Sequence, residues 1–492
     1  LKESGAEKFI GAYVKAPIVG KYDWIYDLDL TSLYPSIIMT LNISPEAKIG
    51  KIQDWDANKF VKGEVDTYYI GEDTITKDNL KQYLEQSKFS VASNGVLYRT
   101  DKVGCIPGIL NLWFDKRVEY KNEMKKYGKA GNKEKYAFFH KRQLVQKILL
   151  NSLYGVLGLP AFRFYDVDNA TAVTTTGQTV IKSTADMANI KYNKELGNPD
   201  LDSNIYIDTD SVFFSAVPLM DKRFPNWKDE EQDTIAGYVN DIAEEMQDYL
   251  NDFYDILAKK VLNVDKDKHR LEIKKEYVAK AGLWIAKKRY AQWIISDNGV
   301  PCDKLDVKGL DVKRSSFPKA FQECMGTVLI DILKGKSEEE ISDYVLDFKK
   351  NMVNRPTSEI AKNSAVKNLK KYMPKGKRER FSMMKGAPAH VKAAILYNDC
   401  LKHFKAPFKY EPMKNGDKVK WVYLKDNPLG IDGLAFTGYS DPPEIAEFIA
   451  TYIDYNKIFE RELKNKLQDF FDAIGWGDVV SEQRTAEKFF SF

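Results

Sequence analysis

Asp208 and Asp210 stand one residue apart in NIYIDTDSVFF, with Ile205, Tyr206 and Ile207 leading in and Val212, Phe213 and Phe214 leading out. Two carboxylates held that close repel each other, so a positive group is expected beside them. Asp29, in YDLDLTSLYPSII, is a third candidate. A carboxylate at the end of a strand, followed by turn amides, can hold a metal and a phosphate together. Taken locally, the same Asp also reads as a helix cap. Asp29 and Asp208 are 179 residues apart, so they form one site only if the fold lays their segments side by side. Matching cations occur elsewhere. Arg117 and Lys121 are spaced i, i+4, and Lys147, Asn151 and Tyr154 follow at i, i+4 and i+7, so each set shares a helix face. A triphosphate carries about four negative charges, and three converging cations would suit it. Judged singly, Arg117 and Lys121 read as an exposed basic face and Tyr154 as a core ring.

The elements that must position these groups follow from periodicity. The stretch 204–214 reads as two short strands around an acidic turn. WIYDLDL is an apolar strand, and Tyr34–Pro35 begin a turn into SIIMTL. Residues 44–107 are expected to be loop- and strand-like, with Gly, Pro and Asn punctuation. Gly108 to Tyr127 has a helical pattern, GKAGNK (128–133) breaks it, and a second helix is expected from about Glu134 to Leu157, making an antiparallel hairpin. Residues 170–190 read as a helix, 230–260 as a long acidic helix with a solvated face, and 270–296 as alternating strands. After KGLDVKRSSFP the chain is expected to be mainly helical.

A length of 492 residues suits two to four domains, and 43% apolar content supports substantial cores. There is no run of about 18 apolar residues and no signal-peptide pattern, so a soluble, cytoplasmic protein with no membrane partner is expected. Cys105, Cys302, Cys324 and Cys400 are far apart, and the four histidines lack ligand spacing. This argues against a zinc site or disulfide framework and leaves oxygen ligands for a hard cation such as Mg²⁺. The net charge of +4 is uneven: Lys362 to Lys420 holds 16 Lys and Arg against 4 Asp and Glu, a net +12, leaving −8 elsewhere. Such a block reads either as a site for a polyanion or as a lysine-rich, solvated surface. Residue 1 is Leu rather than Met, as expected of a fragment, a processed product or one piece of a split protein.

Taken together and in order, the motifs resemble those of the family B DNA polymerases. DLTSLYPSII is similar to their motif A, KILLNSLYG to motif B and YIDTDS to motif C; KKRY (287–290) and KRSSFPKA (313–320) continue the match. NISPE, NATAVTT and the phenylalanine-rich C-terminus are most similar to the replicative polymerases of T-even-like phages, which would put the protein in a bacterial host's cytoplasm. The resemblance covers essentially the whole chain. It implies an α+β, right-hand fold: an antiparallel-sheet palm (1–107 and 161–305), helical-hairpin fingers (108–160), a mainly helical thumb (306–484) and a clamp-binding tail (485–492).

The resemblance also implies roles. Asp29 and Asp210 would carry two Mg²⁺ ions, or Mn²⁺, with Leu30 and Glu276 completing the metal site and Asp208 as a supporting acid. Ser32, Leu33, Tyr34, Arg117, Lys121, Lys147 and Asn151 would hold the dNTP, with Tyr34 excluding a 2′-hydroxyl. Tyr154, Gly155, Lys287, Lys288, Arg289 and Tyr290 would meet the primer–template DNA, and the basic block would grip the duplex backbone. Phe489, Phe490 and Phe492 would anchor a sliding clamp, although a tail docked on its own thumb is also compatible. Two features depart from the family pattern. Asp27 is an acid where the family usually has none, on the same strand face as Asp29. Only 28 residues precede Asp29, so the family's upstream 3′–5′ exonuclease is not assigned to this chain, and the sequence leaves open whether a separate exonuclease domain or chain is a partner. A protein-primed family B polymerase and a catalytically inactive DNA-binding homologue are the alternatives.

Overall fold

The strand β1 (Gly20–Leu30) is buried continuously from Trp24 to Leu28, as suits a strand covered on both faces. It belongs to a computed structural model that describes residues 10–373, 380–382, 386–406 and 408–480. The expected clamp anchors Phe489, Phe490 and Phe492 lie outside the described residues. The chain divides into two units, the first comprising 10–18, 23–280 and 295–302, the second 19–22, 281–294 and the described residues from 303 on.

In the first unit β1 runs into helix α1 (Leu33–Leu41), which is buried from Pro35 to Leu41. Helices α2 (Cys105–Lys129) and α3 (Lys133–Leu157) form the expected hairpin. The break lies at Ala130–Asn132, where Gly131 takes a φ of 68° and the Asn132 side chain caps α3 by accepting from the Lys135 amide at 3.0 Å. Few hairpin side chains are buried. Near its turn the helices are joined by Tyr127 stacked on Phe139, with centroids 5.6 Å apart. Helix α4 (Val167–Leu196) crosses close to α1: a Cβ on Gly177 would meet the Tyr34 ring at 3.1 Å. Strands β2 (Asn204–Asp208) and β3 (Ser211–Ser215) make the predicted acidic hairpin. Helix α5 (Gln232–Val261) buries Ile235, Val239, Ile242, Met246, Leu250 and Leu257, the three-to-four spacing of an amphipathic helix. It is tied to α4 by a 2.7 Å hydroxyl bond between Tyr254 and Thr184.

β3 pairs antiparallel with β1, aligning Asp29 with Ser211, and β2 flanks β3. On its other side β1 neighbours β4 (Ile273–Ala286). Residues 44–107 differ from expectation. They include the helices Ala57–Lys62 and Lys77–Gln86 beside short antiparallel strands, around a small core of Ile52, Tyr68, Leu80, Leu84 and Leu97. Each helix spans three turns or fewer, too few apolar positions to register as a period.

In the second unit, parts of β4, β5 (Arg289–Asp297) and β6 (Val300–Lys308) meet a larger core. Trp284 is fully buried, with Tyr290 stacked on it at 5.8 Å. Gly309, at φ 65°, lies so close to the Lys288 carbonyl that a Cβ there would overlap it. Helices α6 (Lys319–Leu333), α7 (Glu338–Asn351) and α8 (Ala389–His403), expected from the helical pattern, contribute to this core. A three-stranded sheet, β7 (Lys362–Ala365), β8 (Lys418–Tyr423) and β9 (Gly433–Phe436), was not expected from the helical pattern. Among the described residues no helix is long and apolar enough to cross a membrane.

Candidate active site

The β2–β3 turn is tight. The Asp210 amide donates to the Asp208 carbonyl at 2.7 Å, across Thr209 at φ 67°. A β-branched residue at positive φ is a strained outlier. The Thr209 amide is held by the Tyr13 carbonyl at 3.1 Å. Next door, the Leu30 amide donates to the Asp210 carbonyl at 2.8 Å, so the ends of β1 and β3 are tied where Asp29 and Asp210 project. The two acids thus come together as the sequence required. Asp29 does not cap α1: Ser32 holds the N-cap position, in a left-handed conformation and without a side-chain cap bond.

Asp29 and Asp210 open onto a cavity of about 660 Å³ within the first unit, together with Glu276, Ser32, Leu33 and Tyr34. From the hairpin, Arg117, Lys121, Lys147, Asn151 and Tyr154 line the same cavity. Leu30, Asp208 and Gly155 do not line it. Asp208 takes the Tyr206 hydroxyl at 3.4 Å, and a Cβ on Gly155 would meet open space. Lys287, Lys288, Arg289 and Tyr290 lie in the second unit. There Arg289 pairs with Asp469 at 2.8 Å, and Tyr290, 5% exposed, is a packed ring.

Burial, then the charges of Asp210 and Glu276, push the Asp29 carboxyl up to about 8; a 3.2 Å bond from the Ser211 hydroxyl and the Lys147 charge oppose this. Burial, with the charges of Asp208 and Glu276, raises Asp210 to about 6, again against Lys147. On the cationic side, burial lowers Arg117, and burial and the neighbouring Arg117 charge lower Lys121. The Arg117 guanidinium donates to the Ser32 hydroxyl at 2.6 Å, while its Nε has no partner. The cavity therefore juxtaposes crowded acids with crowded cations. The Tyr34 and Tyr154 rings, both in the cavity lining, meet with centroids 4.4 Å apart.

Some cavity residues were not singled out by sequence. Lys125 continues the i, i+4 row from Arg117 and Lys121, so its signal was available. Lys275 bonds to Asn240 at 2.7 Å and Glu244 at 2.8 Å, and is thereby neutralised. Asn298 and Gly299, at the β5–β6 turn, reach the cavity because the Asn298 amide donates to the Glu276 carbonyl at 2.6 Å. The Asn298–Gly299 pair, at φ 50° and 77°, is a hairpin-turn signal present in the sequence; only the tertiary pairing reveals that this turn reaches the cavity.

The donor set fits a hard cation. Among the described residues no three His, Cys, Asp or Glu side chains are gathered closely enough to hold a metal unaided. Two crowded carboxylates facing a basic pocket match the way Mg²⁺ is commonly held, by one or two carboxylates plus substrate phosphates.

A model of DNA polymerase family B matches residues 1–223 and 244–474. Relatives include the DNA-directed DNA polymerases of Enterobacteria phage T4, 26% identical over 95% of this chain and 56% of its own length, and of Escherichia phage RB69, 26% identical over 95% of this chain and 55% of its own length. The DNA polymerase of Thermococcus gorgonarius is 28% identical over 68% of this chain and 33% of its own length. The chain thus spans little more than half the length of its phage relatives.

Proposed function

The chain belongs to DNA polymerase family B, and we propose that it extends a DNA primer on a DNA template from dNTPs, in a phage-type replicative role. One observation carries the reading: the acids Asp29, Asp210 and Glu276 and the cations Arg117, Lys121 and Lys147 line one cavity. In the reaction the primer 3′-oxygen bonds to the α-phosphorus of the dNTP as the bond to pyrophosphate breaks. Asp29 and Asp210, with the Leu30 carbonyl and Glu276 alongside, would hold two divalent ions, Mg²⁺ or Mn²⁺, that activate the 3′-hydroxyl and neutralise charge on the leaving group. Asp208 balances charge behind Asp210. Arg117, Lys121 and Lys147 bind the triphosphate oxygens, so the Ser32 hydroxyl gives up Arg117 when nucleotide enters. The Ser32–Tyr34 main chain meets the phosphates, Asn151 supports that face, and Tyr34 lies beneath the sugar as the barrier to a 2′-hydroxyl.

Tyr154 and Gly155 border the nascent base pair. Lys287, Lys288 and Arg289 approach the primer–template minor groove, whose acceptors occur in every base pair, with Tyr290 fixing the segment through its stack on Trp284. Palm (1–107 and 161–305), fingers (108–160) and thumb (306–484) are the corresponding regions, and Phe489, Phe490 and Phe492 are the proposed clamp anchors. The test is primer extension with Mg²⁺ and dNTPs. Asp210→Asn should lose about 10²-fold or more of the rate while keeping primer–template affinity. Activity within about tenfold of wild type would sink the assignment.

A further inference from the structure

We propose that Asp27 is a positioning residue for the acid cluster: its carboxylate holds β4 in the register that turns Glu276 toward Asp29 and Asp210. The inference rests on the polymerase reading above. Asp27 is 2% exposed, in the middle of the buried run of β1. A buried carboxyl group, ionised or not, is costly unless its oxygens are hydrogen-bonded. Its recorded bond comes from β4: the Tyr277 amide donates to Oδ1 at 3.0 Å. The far side of the Glu276 peptide is held too, by the Asn298 amide on the Glu276 carbonyl at 2.6 Å. The main chain at Glu276 is therefore fixed on both sides, and Asp27 supplies the side facing β1. The Leu30 amide on the Asp210 carbonyl, at 2.8 Å, does the same for the other two acids. Asp27 is two residues from Asp29 on one strand, so both point to the same face. A shift of β4 relative to β1 would move Glu276 away from Asp29, and displacements of about 1 Å in a reacting cluster cost rates of order 10²-fold.

The test separates the hydrogen bond from the charge and from stability. Asp27→Asn keeps an accepting oxygen; Asp27→Leu removes it. Each is made in wild type and in Glu276→Gln. Single-nucleotide incorporation and calorimetric Mn²⁺ binding without nucleotide are measured on folded protein. Asp27→Asn should stay within about threefold of wild type. Asp27→Leu should lower kcat about tenfold or more with KM for dNTP within about twofold, and weaken Mn²⁺ binding. Both effects of Asp27→Leu should nearly vanish in Glu276→Gln, because the group it positions has lost its charge. Equal losses in the two backgrounds, or Asp27→Asn as damaging as Asp27→Leu, would overturn the proposal. Should Asp27→Leu not fold, Asp27→Ser, whose hydroxyl is too short to reach the Tyr277 amide, replaces it in the same comparison. If folded wild type extends no primer, the polymerase reading fails, and the Mn²⁺ measurements alone decide the role of Asp27.

Discussion

The Asp29 carboxyl, raised to about 8, is largely protonated at neutral pH until a cation enters, whereas Asp210, raised to about 6, is largely ionised. The sign of the consequence follows from linkage. An unfolded Asp titrates near 3.9, so between about 4 and 8 the folded chain binds more protons than the unfolded one. Stability from this source is full below about 4 and is lost as pH rises toward 8. Melting in EDTA should therefore fall between pH 5 and 8.5, and Asp29→Asn should make that fall shallower. Equal slopes for the two proteins would remove Asp29 as the titrating group. Tyr34, in the cavity lining, gives a second prediction at this scale. Tyr34→Ala should raise the rNTP-to-dNTP incorporation ratio by about tenfold or more, the cost of losing a steric contact of one to a few kcal/mol. An unchanged ratio would mean that another group excludes the 2′-hydroxyl.

Lys147 sits on α3, and its charge acts on both Asp29 and Asp210, so the helical hairpin is the element that joins cation to acid. Lys147→Ala should raise KM for dNTP and slow the chemical step about 10²-fold, because the lost charge acts on charge that grows during transfer. Wild-type single-turnover kinetics would reduce Lys147 to a surface residue. The hairpin was legible because its spacing is strict: Arg117 to Lys121, and Lys147 to Asn151 to Tyr154. The β2–β3 turn was legible because apolar runs flank two acids. The helices within 44–107 were not, being too short to show a period, nor was the sheet of the second unit, whose strands are short and whose first strand, Lys362–Ala365, lies far along the chain from the other two. The role of Asp27 was hidden for a different reason. Its partner Tyr277 lies 250 residues away, and no pattern along β1 records which amide a side chain will meet in the folded chain.

On the scale of the whole molecule, the chain's basic charge is concentrated in residues 362–420, and the structure divides that block into two kinds of cation. Lys362 holds the buried carboxylate of Glu462 at 2.8 Å, Lys392 holds Asp432 at 2.7 Å, and Lys420 caps the Ser358 carbonyl at 2.6 Å. These serve the fold of the second unit. Lys367, Lys370 and Lys371 are exposed and are the better candidates for DNA phosphates. Each phosphate contact contributes roughly 0.9 to the slope of log affinity against log salt concentration. Changing Lys367, Lys370 and Lys371 together to Ala should flatten that slope by up to about 2.7, weaken duplex binding alike for different sequences, and leave melting within about a degree. Lys362→Ala should do the reverse, because stranding a buried carboxylate costs about 3 kcal/mol or more, lowering the melting temperature and barely changing the slope. Measuring both variants at several salt concentrations separates a DNA grip from a solvated surface. If the triple variant keeps the wild-type slope, the basic block does not contact phosphate through these residues.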